Sequence, residues 1–285
     1  ACAEQVIHFV RGWDVMDFDG DGCGGPGRST NAASCPGGAD GEERNRANDG
    51  RKVPFFWKLG DIFHSSPAVV TAPIDAIRCD TGYEKQCVAT LRSPSVLPLQ
   101  TSNPATNPGL TSASTLVDAY ERYRLDNRQR RRVVLVGAND GMLHAFDAGV
   151  PTSCDAQGVC SYTAGSGTGT ELWAFIPPDL LPRLKELYTN MNHPYFVDGS
   201  PKVAELNSNG LMASSKDQVA RRILVFGLRK GGKAYYALDI SKPDAPEFLW
   251  EITSDTKGFS ELGETWSDPV FGNMKVNGVS TPVAI

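Results

Sequence analysis

Residues 132–148 read R-V-V-L-V-G-A-N-D-G-M-L-H-A-F-D-A, and no other stretch limits the fold more sharply. Residues 133–136 are apolar and mostly β-branched without polar alternation, as expected of a strand buried on both faces. Gly137-Ala138-Asn139-Asp140-Gly141 follows. Gly, Asn and Asp tolerate positive φ and build tight hairpin turns. Residues 142–147 then alternate as the return strand.

This hairpin has flanks, and the whole set recurs. Ser66-Pro67-Ala68-Val69-Val70 precedes it and Thr170-Glu171-Leu172-Trp173-Ala174-Phe175 follows it. The same four elements return in order at residues 200–204, 222–227, 235–239 and 248–252. A third copy opens at Ser267-Asp268-Pro269-Val270-Phe271 and reaches Pro282-Val283-Ala284-Ile285. Four short strands per unit, repeated, predict the blades of a β-propeller, partial in this sequence and carrying helical and loop insertions. A propeller closes with about 4–8 blades, so the repeat is expected to be a piece of a longer one. Residues 1–12 read as the end of a helix closing at Gly12. Residues 1–52 are expected to be a linker or insertion from the end of a preceding domain, and residues 53–285 the propeller.

Between the repeats, residues 53–57 form a short apolar run and residues 62–71 are expected to hold the first blade strand. Residues 72–111 read as an irregular excursion rich in Pro, Ser and Thr. Leu116, Ala119, Tyr120 and Tyr123 are spaced i, i+3, i+4, i+7 and predict a one-faced helix of about three turns. Pro177-Pro178-Asp179 predicts the start of a second helix over residues 180–188, with Leu180, Leu181, Leu184 and Leu187 on its apolar face. Both faces are expected to cover the propeller.

Seven cysteines occur, none as C-x-x-C. Cys79 and Cys87 bracket a short polar loop, as do Cys154 and Cys160, while Cys23 and Cys35 bracket a Gly-, Ser- and Asn-rich one. Zinc sites pair closely spaced Cys with His, a pattern missing here. Loop-closing disulfides in an oxidising compartment are therefore expected: Cys79 with Cys87, Cys154 with Cys160, and Cys23 with Cys35. Cys2 is left over. A net charge of −5 gives no electrostatic reason to expect nucleic acid. Arg128, Arg130, Arg131 and Arg132 read as a solvated loop end. No apolar run approaches the ~20 residues of a membrane helix.

The sharpest ligand signal is Asp17-Phe18-Asp19-Gly20-Asp21-Gly22. Carboxylates at loop positions 1, 3 and 5 with Gly at 6 suit Ca²⁺, and the Cys23 backbone carbonyl would add an oxygen. An EF-hand needs Glu at position 12, where Arg28 stands, so the expectation is a calcium loop of another kind, completed by Asp14, Asp40 or Glu42. Gly165-Ser166-Gly167-Thr168-Gly169 has the composition of a phosphate loop, but a strand rather than a helix follows it. His8, His64, His144 and His193 lack paired spacing and read as structural. No nucleophile elbow is present, and no catalytic residues are expected.

The pattern Ala138, Asp140, Gly141, Ala145, Asp147, Thr168, Gly169, Trp173 resembles the repeat that closes blades in quinoprotein-type propellers. Four motifs narrow the resemblance: L-G-D-I-F-H-S-S-P (59–67), V-G-A-N-D-G-M-L-H-A-F-D-A (136–148), F-V-D-G-S-P (196–201) and G-G-K-A-Y-Y-A-L-D-I (231–240). In this order they resemble the C-terminal propeller of the PilY1/PilC family of type IV pilus tip proteins, over about residues 53–285. The resemblance implies a secreted, calcium-influenced, non-enzymatic protein at the pilus tip or outer cell surface, acting in pilus assembly, retraction control and adhesion. Its implied partners are minor pilins of the tip and a surface or host receptor. The family's calcium loop lies later in the propeller than this sequence reaches, and the Arg-Gly-Asp tripeptide of some members is absent. The alternative implied by the shared blade motif is a periplasmic quinoprotein dehydrogenase using pyrroloquinoline quinone; a lectin-like propeller is a third reading.

Overall fold

The computed structural model describes residues 2–11, 59–73, 96–98, 116–118, 127–154, 160–189, 193–206, 221–277 and 279–285. The acidic loop with Asp17, Asp19, Asp21 and Cys23 lies outside the described residues, as do the Gly12 cap and the apolar run 53–57. Two of the three expected disulfides, Cys23 with Cys35 and Cys79 with Cys87, also lie outside them.

In chain order the elements are α1 (Cys2–Val10), β1 (Ala68–Val70), β2 (Val96–Pro98), β3 (Leu116–Asp118), β4 (Val133–Gly137), β5 (Leu143–Asp147), β6 (Ser153–Cys154), β7 (Cys160–Ser161) and β8 (Glu171–Phe175). A 3₁₀ helix (Pro178–Arg183) and α2 (Glu186–Thr189) follow. The remaining strands are β9 (Lys202–Leu206), β10 (Arg221–Gly227), β11 (Tyr235–Asp239), β12 (Glu247–Ile252), β13 (Phe271–Val276) and β14 (Val279–Ala284). Among the described residues no helix is long and apolar enough to cross a membrane.

The repeat folds as two antiparallel four-stranded blades and a hairpin of a third. The first sheet has the order β1-β4-β5-β8, the second β9-β10-β11-β12, and β13 pairs with β14. The correspondence extends to single residues. Leu135 faces Ala145, which faces Trp173; Val225 faces Ala237, which faces Trp250. In each sheet the register shifts immediately after that alanine, between Ala145 and Phe146 and between Ala237 and Leu238. A bulge at the same place in both copies bends the outer strand alike, as blades stacked side by side require.

The turn Asn139-Asp140-Gly141 places Gly141 at φ 95°, where a side chain would be strained. Between the sheets, Leu135, Leu143, Phe196, Leu224, Phe226, Tyr236 and Leu238 form one core, each at most 1% exposed. Trp173 packs against this core and donates its indole N–H to the Pro243 carbonyl of the second blade at 2.8 Å. Arg222 does the same in reverse, donating to the Thr71 carbonyl at 2.6 Å while pairing with Glu205.

Several expectations need correction. Leu116–Asp118 is not helical: it pairs antiparallel with Val96–Pro98, inside the stretch read as irregular. Residues 119–126 lie outside the described residues. Four apolar positions in a short window match a helical period by chance, and Leu116-Val117 suits a strand equally well. The first blade strand is only Ala68–Val70, because Ile62 and Phe63 belong to an exposed lead-in. The second helix is broken into a 3₁₀ segment and one α turn, since Pro182 lies inside it and cannot donate a backbone hydrogen bond. Leu180 and Leu184 are buried as expected, whereas Leu181 is 53% exposed.

The arginine cluster is not simply a solvated loop end. Arg131 pairs with the buried Asp147 at 2.6 Å, and the Arg132 guanidinium lies 3.6 Å from the centre of the Tyr162 ring. Asp147 also organises the Gly-rich loop. It accepts from the backbone N–H groups of Gly149 and Thr168 and from the Thr168 hydroxyl. The Thr168 N–H and hydroxyl of the loop thus bind a carboxylate of their own chain rather than a phosphate. Beside them, Cys154 and Cys160 form the expected disulfide across the β6–β7 hairpin.

Candidate interaction surface at the blade entrances

Each blade begins with a chain segment that crosses the hairpin turns before entering its inner strand. These segments repeat: His64-Ser65-Ser66-Pro67, Asp198-Gly199-Ser200-Pro201 and Trp266-Ser267-Asp268-Pro269. His64, Asp198 and Trp266 each stand three residues before the proline, so three successive blades carry them side by side. The His64 ring nitrogen Nδ1 lies 2.6 Å from Asp198 Oδ2, and the His64 backbone N–H donates to Asp198 Oδ1 at 3.1 Å. The His64 and Trp266 rings are 6.5 Å apart.

The lead-ins are pinned from below. The Ser66 N–H donates to the Ser200 hydroxyl, Gly137 N–H to the Ser65 hydroxyl and Leu228 N–H to the Thr265 hydroxyl. Asn139 bonds two lead-ins at once, donating to Asp61 and accepting from Phe196 N–H. Gly231 touches the Phe196 backbone so closely that a Cβ would collide with its carbonyl oxygen. Arg183, from the 3₁₀ helix, reaches across to the carbonyls of Gly231 and Tyr195.

On this rigid base sits an aromatic cluster open to solvent. Phe63 is 62% and Trp266 46% exposed. Phe63 lies 4.4 Å from the His64 ring and 5.9 Å from Tyr195, and His193 lies 5.4 Å from Tyr195. His193 Nε2 is 2.8 Å from Asp61. Arg229 and Lys230 close the edge, with Arg229 over the Trp266 ring and Lys230 over Tyr195. Arg229 and Asn277 are the non-glycine residues with positive φ among those described, each at 52°.

His144 is the other titratable group of note and lies within the first blade. It is 2% exposed, with Nε2 within 3.1 Å of both Asp140 oxygens and Nδ1 3.2 Å from Glu171. Burial alone would lower its pKa. The hydrogen bonds and charges of Asp140 and Glu171 outweigh that and raise it to about 9. Because the folded pKa lies above the unfolded value near 6.5, the contribution is fully present below pH 6.5 and is lost as pH rises through 9. Melting temperature followed from pH 6 to 10 should therefore fall more for the wild type than for His144→Gln. A constant gap between the two across that range would show that His144 is not charged in the fold.

Among the described residues no three His, Cys, Asp or Glu side chains converge as a metal site. Sequence reasoning singled out neither Trp266 nor the Arg229–Lys230 turn. The aligned Ser-Pro and Asp-Pro steps were the available signal, since they fix which residues of each lead-in are neighbours.

Residues 109–278 match the family model described as the PilY1 β-propeller domain. The chain belongs to this family. It is 36% identical, over 95% of its length, to a type IV pilus biogenesis factor PilY1 homolog of Xylella fastidiosa, of which it covers 18%. It is 31% identical over 76% of its length to the type IV pilus biogenesis factor PilY1 of Pseudomonas aeruginosa, covering 14% of that protein. The chain thus spans less than a fifth of either PilY1 relative. The crystal structure of the Pseudomonas aeruginosa PilY1 C-terminal domain is similar at 27% identity and a TM-score of 0.38, over 68% of this chain and 31% of that one. In this PilY1-family chain the recurring four-stranded hairpin pattern and the blade-closing tryptophans Trp173 and Trp250 are scaffold, and the exposed entrance cluster is what the scaffold presents at its surface.

Proposed function

We propose that this chain forms part of the propeller of a type IV pilus-associated factor acting in pilus assembly, retraction control and adhesion from an extracellular position at the pilus tip. The observation that carries this reading is the family match over residues 109–278, joined to relatives named as pilus biogenesis factors. Minor pilins of the tip are the assembly partners, and a surface or host receptor is the adhesive one. The entrance cluster supports an interaction role, because rigid blades hold large rings in water that a solitary surface would gain by covering. Deleting residues 109–278 from the full-length protein should sharply reduce surface pili counted by electron microscopy, with recovery on complementation. Unchanged piliation would contradict the reading.

Calcium is part of this proposal. Asp17, Asp19 and Asp21 would repel one another if held close without a cation, and Gly20 and Gly22 allow a backbone path that turns the alternate carboxylates inward. Calorimetry should detect calcium binding at millimolar concentration or below, lost in a double variant carrying Asp19→Ala and Asp21→Ala. Equal heats from both proteins would sink the site. The disulfides of Cys23 with Cys35 and of Cys79 with Cys87 belong to the same extracellular reading. Thiol counting on the unfolded, non-reduced protein should find close to one free thiol, and a count of five would remove both pairs. The reading is non-enzymatic, resting on the family rather than on any missing residue. A stoichiometric quinone chromophore in the purified protein would favour the dehydrogenase alternative instead.

A further inference from the structure

The turn that replaces Asn139-Asp140-Gly141 in the second blade is Arg229-Lys230-Gly231, and it breaks a local rule. Arg229 adopts φ 52°, a conformation that favours Gly or Asn and strains a long side chain. Strain of this kind persists where the surrounding structure enforces it, and it concentrates at functional sites. Here it goes with a guanidinium whose carbon lies 5.3 Å from the centre of the Trp266 ring, with Nε buried and lacking a hydrogen-bond partner among the described residues. The next residue, Lys230, puts its ammonium 4.6 Å from the centre of the Tyr195 ring. No described residue forms an ion pair with either cation, whereas the neighbouring carboxylates have other partners: Asp198 pairs with His64, Asp61 with His193, and Glu264 accepts the Trp266 indole N–H at 2.8 Å.

We infer that this patch binds a carboxylated saccharide, with Trp266 and Phe63 packing the sugar rings and Arg229 and Lys230 taking the carboxylate. A pyranose has an apolar C–H face and a rim of hydroxyls. It therefore needs exposed aromatic faces bordered by fixed polar groups, which is what the His64–Asp198 and His193–Asp61 pairs provide around Phe63. The guanidinium fork matches a carboxylate in geometry, and its position over an indole keeps it partly desolvated and ready. An apolar peptide would bury both cations without a counter-charge. Nucleic acid is disfavoured by two cations on a chain of net charge −5. The inference deepens the adhesive part of the proposed function and rests on it for its biological setting, but its test does not.

The test is binding of the purified full chain to sialyllactose, to an oligogalacturonate and to neutral lactose, followed by calorimetry and ligand-observed NMR. At least one of the two acidic saccharides should bind about tenfold or more tightly than lactose, and which one binds identifies a sialate or a uronate source. Arg229→Gly should abolish that preference while holding or raising the melting temperature, because glycine relieves the positive φ. Trp266→Ala should weaken binding of both the acidic and the neutral sugar. No binding of either acidic saccharide at millimolar concentration, or an Arg229→Gly variant that binds as the wild type does, overturns the inference. Either result leaves the pilus-assembly reading standing, since that is scored by piliation.

Discussion

Phe226→Ala is expected to cost about 3–5 kcal/mol of stability, the range for emptying a buried aromatic site. Phe226 is fully buried at the junction of the two blades. Its ring lies 5.5 Å from Tyr236 in its own sheet and 6.2 Å from Phe175 at the outer edge of the first sheet. Phe175 in turn stacks on Phe248 at 6.1 Å. The vacated volume cannot collapse easily, because rigid strands from both blades line it. Chemical denaturation should show the midpoint falling at nearly unchanged slope. A loss below about 1 kcal/mol would mean that the two blades do not share a core.

Asp147→Ala should cost a comparable amount, about 3–5 kcal/mol, for a different reason. The carboxylate is buried and receives the Gly149 and Thr168 N–H groups, the Thr168 hydroxyl and Arg131. Removing it leaves several donors unmet and frees the loop that carries β8 back to the blade. Burial raises the Asp147 pKa, but the bonds from Thr168, Arg131 and Gly149 more than offset this and hold it well below the usual carboxylate range. The folded pKa is depressed, so the contribution is present above the unfolded value near 3.8 and is lost as pH falls below it. Wild-type stability should therefore drop on acidification below about pH 4 more steeply than that of Asp147→Asn. The second blade supplies an internal comparison. Asp239 occupies the matching register position, accepts the Ser241 N–H and faces Arg221 at 3.7 Å. With fewer hydrogen bonds and a longer arginine pair, Asp239→Ala should cost less. The opposite order would contradict the hydrogen-bond account.

These two residues also mark what a sequence can reveal here. The blade hairpins were legible because apolar strand runs, glycine-bearing turns and Ser-Pro or Asp-Pro entrances recur in one order, and each is a local property. The disulfide of Cys154 with Cys160 was legible for the same reason, since a short polar loop brackets it. Asp147 was legible as a motif position, but its role was not. The carboxylate is satisfied by Thr168, twenty-one residues on, and by an arginine that local charge pattern reads as solvated. The helix expected from Leu116 to Tyr123 failed at its first three residues because the partner strand, Val96–Pro98, lies in a stretch without strand periodicity. The entrance cluster was the hardest to foresee. Phe63, Tyr195 and Trp266 come from three lead-ins, the first two about 130 and the last two about 70 residues apart, and only blade stacking brings them together. Arg229 offered no signal at all, since its positive φ sits where turn chemistry predicts glycine or asparagine.

Immunogold electron microscopy with antibodies raised against this chain tests the pilus assignment most directly. Label at the outer cell surface and at the ends of type IV pili is the expected result, disappearing in cells that lack the protein. Label confined to the cytoplasm, with bare pili of normal number, would contradict it.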